Sequence, residues 1–151
     1  MQTYIGTKIV MAEPAVNVGG KIVTGPVVQV EDLNVTVREG YKVVYPDGYE
    51  SWSPKKVFEE AYRPTNGLNF GLALEAAKRG KRIARAGWNG KNQYVEIATC
   101  ISYKNTKGEI VNAEHDAIGN QAFAFVGTSG VQMGWLASQS DMLATDWRVV
   151  E

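Results

Sequence analysis

A break containing proline and glycine, near the middle of the chain, most strongly limits what this sequence can fold into. Residues 63–67 read Arg-Pro-Thr-Asn-Gly and lie between two segments that are richer in apolar residues. Proline and glycine among polar residues interrupt regular secondary structure and are typical of a boundary between domains. The 151 residues are therefore predicted to form a module at 1–63 and a domain at 66–151.

The first module is predicted to be rich in β-strands and to end in a helix. Three short runs have strand composition: TKIVMA, PVVQV and LNVTV. Residues 46–48, Pro-Asp-Gly, lie between two aromatic-rich runs, a composition that favours a hairpin turn. Because the hydroxyl of Ser53 can cap a helix and Pro54 suits its first position, a helix is expected from Pro54 to Tyr62.

The second domain is predicted to combine one amphipathic helix with several strands. Asn69 can cap the helix and Gly80 can end it, and apolar residues recur at helical spacing between them: Phe70, Ala73, Leu74 and Ala77. The strand-like runs are KRIARA, QYVEIATCI, QAFAFV and WRVV. The polar segment 102–121 contains a Lys107-Gly108 turn, which favours a hairpin or an ordered surface loop. The expected class is α+β: a small mixed antiparallel β-sheet domain with one amphipathic helix, preceded by a short β-rich module ending in a helix.

Charge and cysteine content narrow the classes of protein to which this chain can belong. The 16 basic and 16 acidic residues balance, unlike those of proteins that coat DNA or RNA, so long nucleic acid is not an expected partner. The single cysteine, Cys100, excludes an intramolecular disulfide, and its alternating surroundings predict a packed or half-buried thiol. The sequence has no signal-peptide pattern and no apolar run near the roughly 18 residues of a membrane span, which predicts a soluble intracellular protein.

The side chains that enzymes use are sparse. His115 is the only histidine and lies between two acidic residues, so a multi-histidine metal site is excluded and a solvated loop position is expected. A triad of His115 with Ser138 or Ser140 lacks the G-x-S-x-G turn that would expose the serine. The glycine motifs that bind phosphates in nucleotide hydrolases and dehydrogenases are also missing. We therefore expect a protein without catalytic residues, bound metal or cofactor.

A cluster of cations surrounds one tryptophan although the whole chain is neutral. Residues 78–91 contain six basic residues and no acid, and Trp88 lies in a glycine-rich turn where its ring can stack on a flat ligand. Asn89, Asn92 and Gln93 supply amides that can pair with purine edges or ribose hydroxyls. A structural role competes with this interpretation, because cations suit a helix C-terminus, tryptophan can plug a small barrel and Asn-Gly favours turns.

The segment WLASQSDMLATDW, residues 135–147, places two tryptophans around a polar run. Ser138 can begin a short helix whose unpaired amide groups favour an anion such as phosphate. The spacing of Ser138 and Asp141 also fits a capping box, in which side chains of the helix itself use those amides. The sequence leaves both interpretations open.

Two long motifs carry a family resemblance. The run FGLALEAAKRGKRIARAGWNGK, followed by WLASQSDMLATDWRVV, resembles the small phage proteins known as Thoeris anti-defence proteins of the second family. The resemblance covers roughly Leu68 to Glu151, whereas residues 1–63 look like a short module of other small phage proteins to which we attach no role. It implies a sponge in the cytoplasm of the infected bacterial host, a homo-oligomer expected to be a tetramer. That sponge binds a cyclic ADP-ribose isomer made by a bacterial TIR-domain protein and does not cleave it. Some members hold cyclic oligonucleotides at a separate site, so that ligand class stays open.

Such a ligand presents an adenine face, ribose hydroxyls and a diphosphate. Trp88 and Trp135 are expected to stack the purine, cations to meet the diphosphate, and hydroxyl, amide and carboxylate groups to share the remaining polar edges. The expected ligand-binding residues are Phe70, Arg82, Arg85, Trp88, Asn89, Lys91, Asn92, Trp135, Ser138, Gln139, Asp141 and Met142.

Two other functions compete with the sponge. A virion-associated or carbohydrate-binding module is the alternative, because Trp and Tyr beside Asn and Gln suit glycans equally well. A nucleotide-degrading enzyme is supported only by His115 and neighbouring acids.

Overall fold

The fold was obtained as a computed structural model that describes residues 1–25, 36–88, 92–113 and 121–151. The chain separates into two compact units, Met1–Arg63 and Pro64–Glu151. The class is α+β with mostly antiparallel sheets and short helices, which confirms the expected class. Within the described ranges, no helix is long and apolar enough to span a lipid bilayer.

The first unit is a four-stranded antiparallel sheet followed by a helix. Its elements are β1 (Met11–Val18), β2 (Lys21–Thr24), β3 (Val37–Val44), β4 (Glu50–Pro54) and α1 (Lys55–Ala61), with the strands in the order β2-β1-β3-β4. The predicted hairpin at residues 46–48 is confirmed by the pairing of β3 with β4. Across that turn the Tyr45 N–H donates to the Tyr49 carbonyl at 2.9 Å, and Gly48 has a φ of 85° that favours glycine.

Two predictions for the first unit need correction. The run TKIVMA predicts a strand from residue 7, but β1 begins only at Met11. Ser53 does not cap α1, because it lies in β4 opposite Tyr41, and Pro54 occupies the cap position with no side-chain cap from the described residues. The extended backbone of Pro54 carries the strand directly into the helix. The run PVVQV and residues 33–35 of LNVTV lie outside the described residues.

Gly40 allows β4 to pack closely against β3. It is buried and lies opposite Pro54. A Cβ at Gly40 would lie 2.8 Å from two ring carbons of Trp52 and nearer still to the carbonyl oxygen of Ser53. Because carbon atoms do not pack at such distances, any side chain at Gly40 would force β4 and the Trp52 ring away from β3.

The second unit is a five-stranded antiparallel sheet with one helix packed on it. Its strands are β5 (Arg82–Arg85), β6 (Tyr94–Ala98), β9 (Ala122–Gly127), β10 (Gly130–Met133) and β11 (Trp147–Val150), in the order β10-β9-β6-β5-β11. Between β6 and β9 the chain forms a separate two-stranded hairpin of β7 (Ile101–Lys104) and β8 (Ile110–Ala113). The helices are α2 (Phe70–Lys78) and α3 (Gln139–Met142).

Helix α2 forms as its sequence predicts. The Asn69 side chain accepts a hydrogen bond from the Leu72 N–H at 2.9 Å, and Gly80 follows the helix with a left-handed φ of 79°. The buried residues of the helix are all alanines, which lets its backbone lie close to the sheet. Among the described residues, one cluster of buried side chains joins the helix to the sheet: Leu68, Ala73, Ala76, Ala77, Ile83, Val95 and Trp147.

The run QYVEIATCI predicts one continuous strand, and this is wrong. Strand β6 ends at Ala98, the chain bends at residues 99–100, and β7 begins in a different sheet at Ile101. Cys100, which was expected to be packed or half-buried, is therefore exposed, because the chain leaves the sheet at this bend. The hairpin expected within 102–121 is confirmed by the pairing of β7 with β8 around Gly108. Strand β10 was not predicted.

Replacing Gly40 with alanine is expected to destabilise the protein by about 1–3 kcal/mol, the usual cost of forcing an extra methyl group into packed surroundings. Urea denaturation of the full chain measures this free energy. Gly6→Ala is the matched control, because a Cβ at Gly6 meets no atom within 4 Å. Equal stability of the two variants would contradict the close approach of β3 and β4.

Candidate functional site

Three tryptophan side chains contact one another beside the core of the second unit. Trp88, Trp135 and Trp147, called the indole cluster below, meet edge to face. Their ring centroids are 5.4 Å apart for Trp88 and Trp147, 6.1 Å for Trp88 and Trp135, and 6.2 Å for Trp135 and Trp147. Edge-to-face pairs add about 0.5–1.5 kcal/mol each beyond the burial of their area, so the three rings hold one another in place.

The indole cluster is assembled from distant parts of the chain. Trp88 follows β5, Trp135 lies between β10 and α3, and Trp147 begins β11. Phe70, the first residue of α2, lies 5.4 Å from Trp147 between ring centroids, and Phe125 of β9 lies 5.3 Å from Trp88. The cluster therefore forms only when the sheet and the helix have come together.

Burial divides the cluster into a core residue and two surface-accessible residues. Trp147 is 0% exposed and belongs to the buried core. Trp88 and Trp135 are half-buried and pack against that core. Trp147 thus closes the fold, while the other two rings retain surface that a flat ligand can contact.

Arg85 joins two carboxylates beside the indole cluster. Its Nε donates to Oδ1 of Asp146 at 2.9 Å, and its Nη1 donates to Oδ1 of Asp141 at 3.0 Å. The Arg85 side chain is 21% exposed and that of Asp141 is 14% exposed, so their ion pair is partly shielded from water. These three residues, called the carboxylate hub, combine one positive with two negative groups and so carry an excess of negative charge.

The carboxylate hub also hydrogen-bonds to Trp147 and to the turn that precedes Trp88. The Trp147 Nε1 donates to the backbone oxygen of Asp141 at 2.8 Å. The Gly87 N–H, directly before Trp88, donates to Oδ2 of Asp146 at 3.3 Å. The carboxylate hub and the indole cluster are therefore one connected arrangement.

The carboxylate hub favours its ionised form. The hydrogen bond from Arg85 holds the pKa of Asp146 below its ordinary value. Burial acts to raise the pKa of Asp141, but hydrogen bonds from Ser138, Arg85 and Trp88 outweigh burial and lower that pKa. The hydrogen bonds to Asp146 and then Asp141 raise the pKa of Arg85. The two carboxylates are consequently poised to accept hydrogen bonds from hydroxyl or amide groups.

The start of α3 is closed by its own side chains, which confirms the capping box. Ser138 Oγ accepts from the Asp141 N–H at 3.2 Å, and Asp141 Oδ2 accepts from the Ser138 N–H at 3.1 Å. Ser138 Oγ also donates to Asp141 Oδ2 at 2.7 Å. An anion at this helix start would meet the carboxylate of Asp141, so the geometry opposes the phosphate position that the sequence left open.

Arg82 and Arg85 project from opposite faces of the sheet. Side chains alternate along a strand, and Arg85 shares its face with the buried Ile83. On the other face the Arg82 guanidinium lies over the Tyr94 ring, 4.6 Å from its centroid, and its Nε is 3.2 Å from Oε2 of Glu96. A single chain therefore does not place both arginines against the same diphosphate.

The structure brings half of the predicted site residues together at the indole cluster and the carboxylate hub: Phe70, Arg85, Trp88, Trp135, Ser138 and Asp141. Gln139 and Met142 lie on α3 with exposed side chains, and Asn92 is exposed with a left-handed φ of 57°. Asn89, Lys91 and the lone histidine, His115, lie outside the described residues. The predicted roles of these three residues stay predictions.

Two residues of this arrangement are missing from the predicted site. Asp146 accepts from Arg85 and also from the Gly87 N–H at 3.3 Å, and Trp147 is the buried centre of the indole cluster. The available signal in the sequence was an acid, Asp146, directly before the tryptophan that begins the last strand. The role of Asp146 depends on its partner Arg85, which lies 61 residues earlier in the chain.

Comparison with known proteins gives similarity within the second unit. Residues 68–150 match the family model described as Tad2-like, the Thoeris anti-defense 2-like domain. A curated relative, Thoeris anti-defense 2 of Bacillus phage SP01, is 34% identical over 87 residues, which cover 55% of this chain and 94% of the relative. The family model covers the indole cluster and the carboxylate hub. It does not cover residues 1–63.

Acidification is expected to destabilise the second unit through the carboxylate hub. The folded-state pKa values of Asp141 and Asp146 lie below the ordinary value of 3.8. Their stabilisation is therefore fully present above that value and is lost as the pH falls through the lower, folded pKa. Urea midpoints measured from neutral pH to about pH 2.5 are expected to fall less steeply in Asp141→Asn and Asp146→Asn than in the wild type.

Glu96→Gln is the control for this titration, because it removes an ion pair with Arg82 on the opposite face of the sheet and leaves the carboxylate hub intact. It is expected to keep the wild-type dependence on pH. An unchanged acid dependence in both aspartate variants would contradict the stabilising role of the hub.

Proposed function

The chain belongs to the Thoeris anti-defense 2-like family, and from this membership we propose that it is a phage anti-defence protein that sequesters a nucleotide messenger. The resemblance found in the sequence is thereby confirmed. The proposed ligand is a cyclic ADP-ribose isomer made by a bacterial TIR-domain protein. The proposed action, in the cytoplasm of the infected host, is binding without cleavage. Cyclic oligonucleotides are a second proposed ligand class, for a separate site.

The half-buried pair of Trp88 and Trp135 carries this proposal. A purine stacked on an exposed indole face gains about 1–3 kcal/mol. Both rings are braced by the fully buried Trp147, so little side-chain freedom remains to be lost on binding. A braced aromatic surface of this kind suits the tight capture of a flat base.

Polar groups beside these rings suit the rest of the ligand. Ser138 and Asp141 lie at the edge of the indole cluster, and an ionised carboxylate accepts hydrogen bonds from ribose hydroxyls or an adenine amino group. The diphosphate is assigned to a cation of the run at residues 78–91, where six basic residues occur without an acid.

Sequestration of a messenger also requires a high binding affinity. Nanomolar binding corresponds to about −12 kcal/mol, which an open surface on one protomer reaches with difficulty. A pocket closed by a second copy buries more of a small ligand, and we therefore propose a homo-oligomer, expected to be a tetramer. Binding of this kind needs no general base or metal, which is consistent with a protein that is not an enzyme.

A carbohydrate-binding module is retained as the second candidate because of the carboxylate hub. Tryptophan faces beside carboxylates suit sugar rings and their hydroxyls as well as they suit nucleosides. A glycan ligand has no diphosphate, so competition by phosphate-bearing nucleotides separates the two candidates.

Incubation of the protein with an equimolar cyclic ADP-ribose isomer is expected to abolish activation of a purified defence effector by that messenger. Heating the mixture is then expected to release the messenger with unchanged mass, measured by liquid chromatography and mass spectrometry. Release of a hydrolysed product would place the protein among enzymes, and His115→Ala would then show whether the histidine is responsible. Retention on a glycan column together with no nucleotide binding would favour the second candidate.

Trp88→Leu is expected to weaken binding of the cyclic ADP-ribose isomer by roughly tenfold or more, because a stacked base contributes about 1–3 kcal/mol. Isothermal titration calorimetry gives the dissociation constant. Tyr103→Ala is the control, because Tyr103 is an aromatic residue with 58% exposure on the β7–β8 hairpin. Wild-type affinity of a folded Trp88→Leu protein would remove Trp88 from the site.

A further inference from the structure

We infer that Arg85 is a positioning residue of the ligand site and that it does not bind the diphosphate of the ligand. Through the carboxylates of the hub, Arg85 holds Trp88 where it can stack the nucleoside end of the ligand. The diphosphate then lies away from the hub. Because a nucleotide ligand is assumed, this inference rests on the function proposed above.

The guanidinium of Arg85 is already occupied. Its Nε and Nη1 donate to Asp146 and Asp141 at 2.9 and 3.0 Å. Each of those carboxylates also holds a second donor, the Gly87 N–H at 3.3 Å and the Ser138 hydroxyl at 2.7 Å. A diphosphate that approaches Arg85 must therefore displace a carboxylate or lie beside two negative groups. Coulomb repulsion opposes both arrangements.

Asp141 transmits the position of Arg85 to the indole cluster. Its carboxylate accepts from Arg85, and its backbone oxygen accepts from Trp147 Nε1 at 2.8 Å. Trp147 thus takes its orientation from a residue whose carboxylate Arg85 fixes, and the Trp147 ring meets that of Trp88 at 5.4 Å between centroids. Asp146, the other partner of Arg85, accepts from the Gly87 N–H at 3.3 Å and so fixes the backbone directly before Trp88, one of the two half-buried rings.

Arg85 also ties together three chain segments that meet at the site. It is the last residue of β5, Asp141 lies in α3, and Asp146 directly precedes β11. All four residues of α3 are at least partly exposed, so burial contributes little to fixing that helix. Backbone bonding agrees with this arrangement, because the Ala86 N–H donates to the Asp146 carbonyl oxygen at 3.1 Å.

The positioning role and the diphosphate role predict opposite effects for Asp146→Asn. If Arg85 positions Trp88, loss of one anchoring charge loosens the hub and weakens binding of the ligand. If Arg85 instead binds the diphosphate, loss of a competing carboxylate leaves its charge more available and strengthens binding. Asparagine keeps an oxygen acceptor for the Gly87 N–H, which makes this a mild substitution.

The experiment measures the affinity of a cyclic ADP-ribose isomer by calorimetry and the near-ultraviolet circular dichroism of the free proteins. Asp146→Asn and Arg85→Lys are both expected to weaken binding by roughly tenfold or more, because small misplacements of a site carry large costs. Both are also expected to reduce the near-ultraviolet signal of the tryptophans. Lysine keeps the positive charge but lacks the fork that reaches two carboxylates.

Lys42→Gln is the matched control, because it removes a 3.0 Å ion pair with Glu50 from a side chain that is 28% exposed in the first unit. It is expected to leave both the affinity and the spectrum unchanged. Inorganic diphosphate is not expected to bind at the hub. Adding it should therefore change the affinity for the cyclic ADP-ribose isomer equally in the wild type and in Asp146→Asn.

Tighter binding by Asp146→Asn, or wild-type affinity of Arg85→Lys, would overturn the positioning role. Failure of the wild type to bind any cyclic ADP-ribose isomer would instead overturn the proposed function. The spectra of the free variants separate these two failures, because they report the orientation of the indoles without a ligand. An unchanged tryptophan spectrum in both variants would overturn the positioning role by itself.

Discussion

The burial of Trp147 is the interaction on which the second unit depends. Its backbone exchanges hydrogen bonds with Leu68 at 2.7 and 3.1 Å, and β11 pairs with β5 so that Trp147 lies opposite Arg85. Its ring is fully buried beside the alanine face of α2 and packs against both other indoles. One residue therefore links the sheet, the helix and the candidate site. The large apolar area that it buries offsets the cost of ordering the segments around it.

Local patterns in the sequence were enough to predict the local parts of this structure. The turn before Tyr49 and the start of α2 at Asn69 depend on a few neighbouring residues, whose preferences outweigh the rest of the chain. The bend at residues 99–100 shows the limit of that reasoning. Alternating side chains continue through it, but the chain leaves one sheet for another, and Cys100 becomes exposed.

The candidate site was predictable as a set of aromatic residues but not as a charge arrangement. Trp88 and Trp135 do contact one another, as their proposed common role requires. The role of Arg85 depends on carboxylates 56 and 61 residues away, and such pairing follows from the register of β5 with β11 and from the position of α3, which a single sequence does not state. The acid-free run at 78–91 illustrates the same point. Folding brings acids from elsewhere to Arg82 and Arg85, so local sequence charge is a poor guide to the field at a site.

The β7–β8 hairpin has a topological consequence. Strands β6 and β9 pair directly along their length, so the hairpin between them is an excursion that the five-stranded sheet does not need for its own connectivity. Two adjacent antiparallel strands can be joined by a turn of a few residues. The polypeptide can accordingly lengthen, shorten or accept a fused reporter at the tip near Gly108 while the hydrogen-bonding register of the sheet is conserved. This excursion is the natural place for variation in chain length and for attaching a probe.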